Sequence, residues 1–186
     1  MKSSLDDGNI MDFLFEVGYL KRIPRSGWLF AGISFPESVA DHSFRVTLIG
    51  LTLAILEGAD CEKVMKMCIL HDLAESKLLD LPARTKPYLP NKEDIELQIF
   101  HDITRELPDS IRTEFLSTFE EYIQNSSLES MIAHDADKLE MLLQAVEYKQ
   151  QGYNTYEWIV DALTSLQTDI AKKIALTLIS KFHIDI

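Results

Sequence analysis

The stretch Ile69-Leu70-His71-Asp72-Leu73-Ala74-Glu75 places a histidine beside an aspartate at the end of an apolar helical run. Side chains at adjacent helix positions point about 100° apart, so these neighbours can share one ion only near a helix end or through long reach. Glu75 lies one turn after His71, on the same surface. Such a group can bind a divalent metal and move a proton beside it. An adjacent His-Asp pair also fits an ordinary helix end, so the rest of the chain must decide between these interpretations.

The composition indicates a globular, helical protein. The chain has 186 residues, of which 46% are hydrophobic, with only seven glycines and six prolines. This length is enough to bury a sizeable core, and so few chain-breaking residues favour long helices. The sequence shows no repeat and no extended alternating strand pattern. We therefore expect a compact all-α single domain over residues 1–186.

Charge and the N-terminal sequence bear on partners and localisation. The formal net charge is −12, which makes nucleic acid and anionic membranes poor partners. No apolar run approaches the roughly 20 residues of a bilayer-spanning helix. Residues 1–7 form no apolar secretory core. Cys61 and Cys68 lie two turns apart on one predicted helix, too far for a disulfide. These features predict a cytoplasmic protein that binds neither nucleic acid nor membranes.

Apolar periodicity and capping residues divide the chain into helices joined by two long loops. Ser38 or Glu37 begins the second helix and Gly58 ends it, while Asp60 is placed to cap the third. The loops span residues 21–36 and 76–90, and connections of this length are often functional. The predicted helices are 5–20, 36–58, 60–71, 91–107, 108–124, 128–151, 156–166 and 168–182.

Three separated helical segments carry side chains that can bind a metal. They are His42 in the second helix, the His71-Asp72 pair and Asp137 in the longest helix. Packed helices can bring such side chains together inside a bundle. Two nitrogen and two oxygen donors suit Mn²⁺, Fe²⁺, Co²⁺ or Zn²⁺ and leave positions open for water and substrate. His134 and Asp135 are alternatives to Asp137.

The first long loop contains cationic and aromatic side chains. It holds Lys21, Arg22 and Arg25 together with Trp28 and Phe30. This composition fits either a surface loop held by an aromatic residue or an anion-binding edge of a pocket. Elsewhere, Arg45 is expected to form a salt bridge near the ligand helix.

The order His…His-Asp…Asp resembles the HD-domain superfamily of metal-dependent phosphohydrolases. Further segments resemble the 5′-deoxynucleotidases of that superfamily, and the resemblance runs over residues 14–148. Its metal-site core spans about 36–148. Besides the region of Asp137, the matching segments are LKRIPRSGW at 20–28, PESVADHS at 36–43, HDLAE at 71–75 and DLP at 80–82.

The resemblance implies roles for individual residues. Arg22 matches the arginine that orients the substrate phosphate, and Ile23 stands where one branch of the family has a tryptophan. Glu75 matches the acid/base carboxylate, although it could simply cap a helix or form a salt bridge. Asp80, which could instead be an ordinary turn residue, is also placed to act in proton transfer. The implied metal ligands are His42, His71, Asp72 and Asp137; the implied substrate-contacting loop is Asp80, Leu81, Pro82 and Ala83; Glu75 and Asp80 also suit a second, weaker cation.

The resulting expectation is a divalent-metal-dependent 5′-deoxynucleotidase that converts deoxynucleoside 5′-monophosphates to deoxynucleosides and phosphate. Arg22, with Arg25 or Lys86, would offset charge on the phosphate oxygens. The metal could be Co, Mn, Fe, Zn or Mg, and the relatives' tendency to dimerise predicts a homodimer. Two alternatives stay open. One is a phosphohydrolase for cyclic nucleotides, guanosine polyphosphates or nucleoside triphosphates, and the other is a non-catalytic, metal-stabilised helical module.

Overall fold

The computed structural model describes residues 7–185, apart from the side chains of Asp7 and Lys86. The start of the first predicted helix and the suggested phosphate contact of Lys86 therefore lie outside the described residues. Within them the chain forms α-helices and short 3₁₀ turns with no strand, which confirms the all-α prediction. The helices are α1 (Asp7–Val17), α2 (Val39–Glu57), α3 (Cys61–Leu70), α4 (Glu75–Leu78), α5 (Lys92–Thr104), α6 (Asp109–Gln124), α7 (Leu128–Gln150), α8 (Tyr156–Ser165) and α9 (Asp169–Lys181).

Local capping explains why the long helices begin and end as predicted. Ser38 precedes α2 in a capping box, in which its hydroxyl accepts from the Asp41 amide and the Asp41 carboxylate accepts from the Ser38 amide. Gly58 ends α2 with φ of 69°, a left-handed conformation that glycine adopts without a steric penalty. The Asp60 side chain caps α3 by accepting from the Lys63 amide.

The two long loops are more structured than predicted. Each contains 3₁₀ turns, at Ser26–Ala31 in the first and Ala83–Tyr88 in the second. The second also contains α4, which ends where Leu79 takes φ of 65°. Segments of one or two turns are too short to show helical periodicity, so the prediction of an irregular second loop was wrong.

Two apolar clusters form the core. The larger lies where α7 packs on α2, α3, α8 and α9, and it includes the fully buried Leu53, Met67 and Ile132. The smaller lies between the first loop, α5 and α6, where the rings of Phe100 and Phe119 stack 4.2 Å apart. The helices that carry the predicted metal ligands therefore pack directly on one another.

The contact between α2 and α3 is unusually close at Gly50. A Cβ atom at this position would lie 2.5 Å from Cys68 Sγ and 3.1 Å from Val64 Cγ1. Atoms at such distances overlap, so the absence of a side chain allows the two helices to approach. The separation of the ligand-bearing helices depends on this glycine.

Helix α2 meets a length and composition criterion for crossing a membrane, with 19 residues and a mean hydropathy of 1.4. By that measure, the expectation that no apolar run comes near membrane-spanning length does not hold for α2. The helix nevertheless buries one side against α3 and α7 and carries His42 at 0% exposure. This is how the core helix of a globular domain behaves.

A candidate metal centre in an acidic pocket

The structure brings the four predicted metal-binding side chains together. His42 Nε2 lies 3.2 Å from Asp137 Oδ1 and 3.6 Å from Asp72 Oδ2. His71 Nε2 lies 3.1 Å from the same Asp72 oxygen. One ligand atom each from His42, His71 and Asp72 falls within 4.8 Å of the others. Two nitrogens and two carboxylate oxygens thus surround one point at the end of α3.

The state of the two histidine rings fits a bound cation. The Nε2 atoms of His42 and His71 are both buried, and neither has a hydrogen-bond partner among the described residues. A buried polar atom without a partner is costly, so such atoms are uncommon and call for an explanation. A divalent metal held by His42, His71, Asp72 and Asp137 would satisfy both atoms.

The other atoms of these side chains are already engaged. His71 Nδ1 lies 2.7 Å from the Cys68 carbonyl oxygen, which can only accept, so Nδ1 donates and the Nε2 lone pair stays free. His42 Nδ1 lies 2.5 Å from Glu140 Oε2. Lys138 Nζ donates to Asp137 Oδ2 at 3.0 Å, which leaves Oδ1 facing His42. The contacts orient one free donor atom of each residue toward the centre.

Neighbouring charges keep the two aspartates ionised. Burial alone would raise the pKa of Asp72, but the cationic rings and guanidinium of His71 and Arg25 outweigh it and hold this pKa below its usual range. Burial likewise opposes ionisation of Asp137, and Lys138 and His42 overcome it, so its pKa falls well below the ordinary value. Both carboxylates are therefore available as anionic ligands.

Glu75 lies in the opposite electrostatic situation. Burial raises its pKa well above the ordinary value, and the nearby charges of Asp72 and Asp80 raise it further. Its side chain lines the pocket beside the metal centre, and Oε2 is buried with no hydrogen-bond partner in the part of the chain that the structure describes. Glu75 therefore tends to hold a proton where its neighbours cannot.

The metal centre opens into a pocket of about 580 Å³. Leu81, Pro82 and Ala83 line it, as the sequence predicted for a substrate-contacting loop. Carboxylates outnumber cationic side chains in its lining, so an anionic ligand would meet net repulsion unless a cation were bound. The lining carboxylates are Asp72, Glu75, Asp80, Glu93, Glu96, Asp137 and Asp161, and the cations are Arg25, Lys92 and Lys138.

Asp80 joins the two long loops. Its Oδ2 accepts from the Ser26 amide at 2.5 Å and from the Ser26 hydroxyl at 2.8 Å. The same hydroxyl donates to the Asp80 carbonyl oxygen at 2.8 Å, and Arg25 donates to Oδ1 at 3.3 Å. Asp80 is therefore not an ordinary turn residue, because it fixes the first loop to the second at the pocket edge.

The structure corrects the choice of arginine. Arg22 is exposed, its guanidinium carbon lies 5.9 Å from the centre of the Tyr19 ring, and it does not line the pocket. Arg25 lines the pocket instead, with Nη1 3.5 Å from Asp72 and 3.3 Å from Asp80. Ile23 is only 6% exposed and packs in the smaller core cluster, so its side chain does not reach the pocket. The loop turns between these positions, which sequence spacing could not reveal.

The alternatives to Asp137 are engaged elsewhere. His134 Nε2 lies 2.9 Å from the Tyr122 carbonyl oxygen, although the ring lines the pocket. Asp135 is fully buried and accepts from the backbone amides of Gln167 and Thr168 at the start of α9. Asp137 is the member of this group that faces His42.

The sequence interpretation missed several side chains of the site. Lys92, Lys138, Tyr122 and Trp158 line the pocket. Glu140, which contacts His42, was also missed, although it follows Asp137 by three residues and so shares its helix face. The expected salt bridge of Arg45 is present, and its partner is Glu140 at 2.7 Å.

Comparisons with known proteins agree with this site. The profile of the HD domain matches residues 17–178. The chain is 37% identical over 142 residues to 5′-deoxynucleotidase HDDC2 of Danio rerio, covering 76% of this chain and 70% of that protein. It is 34% identical over 152 residues to its Dictyostelium discoideum namesake, covering 78% and 80%. A conserved hypothetical protein from Pyrococcus furiosus has a similar solved structure, with a TM-score of 0.77, 38% identity and coverage of 93% and 98%.

Proposed function

The chain belongs to the HD domain family, and on that premise we propose that it is a divalent-metal-dependent 5′-deoxynucleotidase. It hydrolyses deoxynucleoside 5′-monophosphates to deoxynucleosides and inorganic phosphate. The observation that carries this proposal is the convergence of His42, His71, Asp72 and Asp137 at a pocket that also contains Arg25 and Glu75. A purely structural metal site would need neither of the last two side chains.

The four converging side chains hold the metal. When bound, a divalent ion activates water and neutralises phosphate oxygens. The site's nitrogen and oxygen donors suit Co, Mn, Fe or Zn, and Mg is included among the ions to be tested. The surplus of carboxylates in the pocket explains why a phosphate would not bind well without the metal.

Arg25 is the phosphate-orienting cation in this proposal. Its guanidinium lies within 3.5 Å of Asp72 and so beside the metal centre. Its planar donors can bind two phosphate oxygens together, which fixes the phosphorus for attack from the metal side. Lys92 and Lys138 add positive charge to the same pocket.

Glu75 supplies the proton for the departing 5′ oxygen. Its raised pKa keeps a proton on a buried carboxyl, while the Asp80 carboxylate is engaged by Ser26 and Arg25. Asp80 therefore organises the pocket edge, and Glu75 is the acid. Glu75 and Asp80 are also the proposed ligands of a second, weaker cation; that cation and the proton would compete for Glu75. Glu75→Gln should leave the metal affinity of the first site unchanged and slow phosphate release.

The test is phosphate release by metal-stripped protein reconstituted with Co²⁺, Mn²⁺, Mg²⁺ or Zn²⁺. Matched deoxyribonucleoside and ribonucleoside 5′-monophosphates are offered to each form. Metal-dependent release that favours the deoxy series is the expected result, and it identifies the usable ion. Equal release from both series would retain a nucleotidase and remove the selectivity for deoxyribose.

Other nucleotides are the alternative substrates. The same metal centre could serve a cyclic nucleotide, a guanosine polyphosphate or a nucleoside triphosphate, because the chemistry at phosphorus is shared. A parallel screen of these compounds separates them from monophosphates. A non-catalytic module predicts that metal raises the melting temperature while every phosphate stays intact.

We further propose that the protein is a homodimer. Support comes from an apolar stripe on the side of α2 opposite the core: Phe44 is 69% exposed, Leu48 50% and Ile55 64%, and their spacing places them on one face. A two-fold axis would bury such a stripe against itself. Sedimentation should give twice the mass of 21.3 kDa, and Leu48→Glu should shift the protein to that mass.

Three expectations stay predictions: one domain over residues 1–186, a cytoplasmic location, and the lack of nucleic-acid and membrane partners.

A further inference from the structure

Glu140 is a fully buried carboxylate beside the metal centre that does not face the metal position. It lies on α7, one turn after Asp137, at 0% exposure. Burying a carboxylate costs free energy unless it is paired and hydrogen-bonded, so its presence needs a reason.

The first contact of Glu140 is with His42. Oε2 lies 2.5 Å from His42 Nδ1, across 98 residues of sequence. An ionised carboxylate can only accept, so Nδ1 carries the hydrogen and Nε2 is left with its lone pair. This is the nitrogen that faces Asp72 and Asp137. Glu140 thus selects the ring form of His42 that can bind a metal.

The second contact of Glu140 is with Arg45. Arg45 Nε donates to Glu140 Oε1 at 2.8 Å, and the rest of its guanidinium donates to Gln144 at 2.6 Å and Glu147 at 2.8 Å. These acceptors lie on successive turns of α7, on one face. Arg45 follows His42 by one turn of α2, so a single arrangement holds both helices and the ring.

We propose that Glu140, held by Arg45, is a positioning residue that fixes the tautomer and orientation of His42 and thereby strengthens metal binding. The inference rests on the proposed ligand set. A carboxylate behind a ligating imidazole fixes the ring and raises its basicity, and losing such a partner weakens metal binding by about 10- to 100-fold.

A different role for this group would be a second metal site. Ligand atoms of Glu37, His42 and Glu140 also lie within 4.8 Å of one another. However, His42 Nδ1 holds its hydrogen toward Glu140, and Glu37 Oε1 already accepts from Trp28 Nε1 at 3.1 Å. The geometry is that of a hydrogen-bonded support behind the ligand.

The test compares Glu140→Gln with Glu147→Gln. Both substitutions neutralise a carboxylate on α7 that binds Arg45, but only Glu140 contacts His42. Zn²⁺ and Co²⁺ affinities are measured on metal-stripped full-length protein by competition with a chromophoric chelator. The visible absorption of the Co²⁺ form reports the ligand geometry, and the melting temperature of the metal-free form reports folding. These readouts do not depend on catalysis, so they can fail or succeed separately from the proposed activity.

Glu140→Gln should weaken metal binding by about 10- to 100-fold and alter the Co²⁺ spectrum, whereas Glu147→Gln should stay within about twofold of the parent. A folded Glu140→Gln protein with parental affinity and spectrum would overturn the proposal, as would equal losses in both variants. If Glu140→Gln does not fold, Arg45→Met decides. That variant keeps the carboxylate but frees it, so a several-fold loss of affinity supports the proposal and parental affinity contradicts it.

Discussion

The pocket has two walls that are held in place by different means. The helical wall consists of His42, His71, Asp72 and Asp137, carried by α2, α7 and the end of α3. The loop wall consists of Arg25, Ser26 and Asp80, which join the two long loops. Helix packing and buried polar contacts orient the first wall, whereas a few partly buried hydrogen bonds hold the second.

This difference separates two tasks. The helical wall provides the stiff geometry that a metal requires, since its side chains cannot move without disturbing the core. The loop wall can adjust at the cost of a few hydrogen bonds, which suits contacts to a substrate. We therefore expect changes in the helical wall to remove metal and activity together, and changes in the loop wall to alter substrate use alone.

The largest effect is expected from the helical wall. His71→Ala removes a nitrogen ligand, so tightly bound metal should be lost and phosphate release should fall by about 1,000-fold or more. The rise in melting temperature on adding Zn²⁺ should disappear with it. His101→Ala is the matched control, because His101 is exposed on α5 and should behave as the parent. Full turnover by His71→Ala would refute the metal centre.

The next largest effect separates the two arginines of the first loop. Arg25→Ala should lower kcat/KM by about 10- to 100-fold with metal still bound, because Arg25 lies in the pocket. Arg22→Ala should change it by less than about threefold, since Arg22 is exposed outside the pocket. Steady-state kinetics with metal content measured in parallel decides the matter. The reverse order of effects would return the phosphate contact to Arg22.

A smaller effect should follow when the loops are loosened. Ser26→Ala removes the hydroxyl that donates to Asp80 and retains the backbone contact. The loss of about 1–2 kcal/mol of local hydrogen bonding should raise KM several-fold with little change in kcat. Metal affinity should not change. A parallel fall in metal affinity would show that the two walls are not independent.

The smallest effect on the site, and the clearest on stability, is expected at Gly50. Gly50→Ala would place a Cβ against Cys68 between the ligand helices and should destabilise the protein by about 1–3 kcal/mol. Gly18→Ala meets no atom within 4 Å and should be neutral or slightly stabilising. Urea unfolding of both variants measures the difference. Equal stabilities would show that α2 and α3 can separate without cost.

Much of the fold could be read locally. Ser38, Gly58 and Asp60 act through hydrogen bonds and dihedral angles within a few residues, so the sequence predicts the ends of α2 and the start of α3 closely. The same is true of the apolar stripe of α7. The short helix α4 and the 3₁₀ turns escaped prediction because one or two turns carry no measurable period.

The sequence by itself determined the residue types of the site: histidines and aspartates on separate helices, in an order that resembles one superfamily. Only the tertiary structure decided that Arg25 lies in the pocket while Arg22 does not, that Asp80 ties two loops together, and that Glu140 supports His42 from 98 residues away. The physical reason is range. Helix propensity and capping depend on neighbours along the chain, whereas the direction of a loop side chain and the partner of a buried charge depend on how distant segments pack.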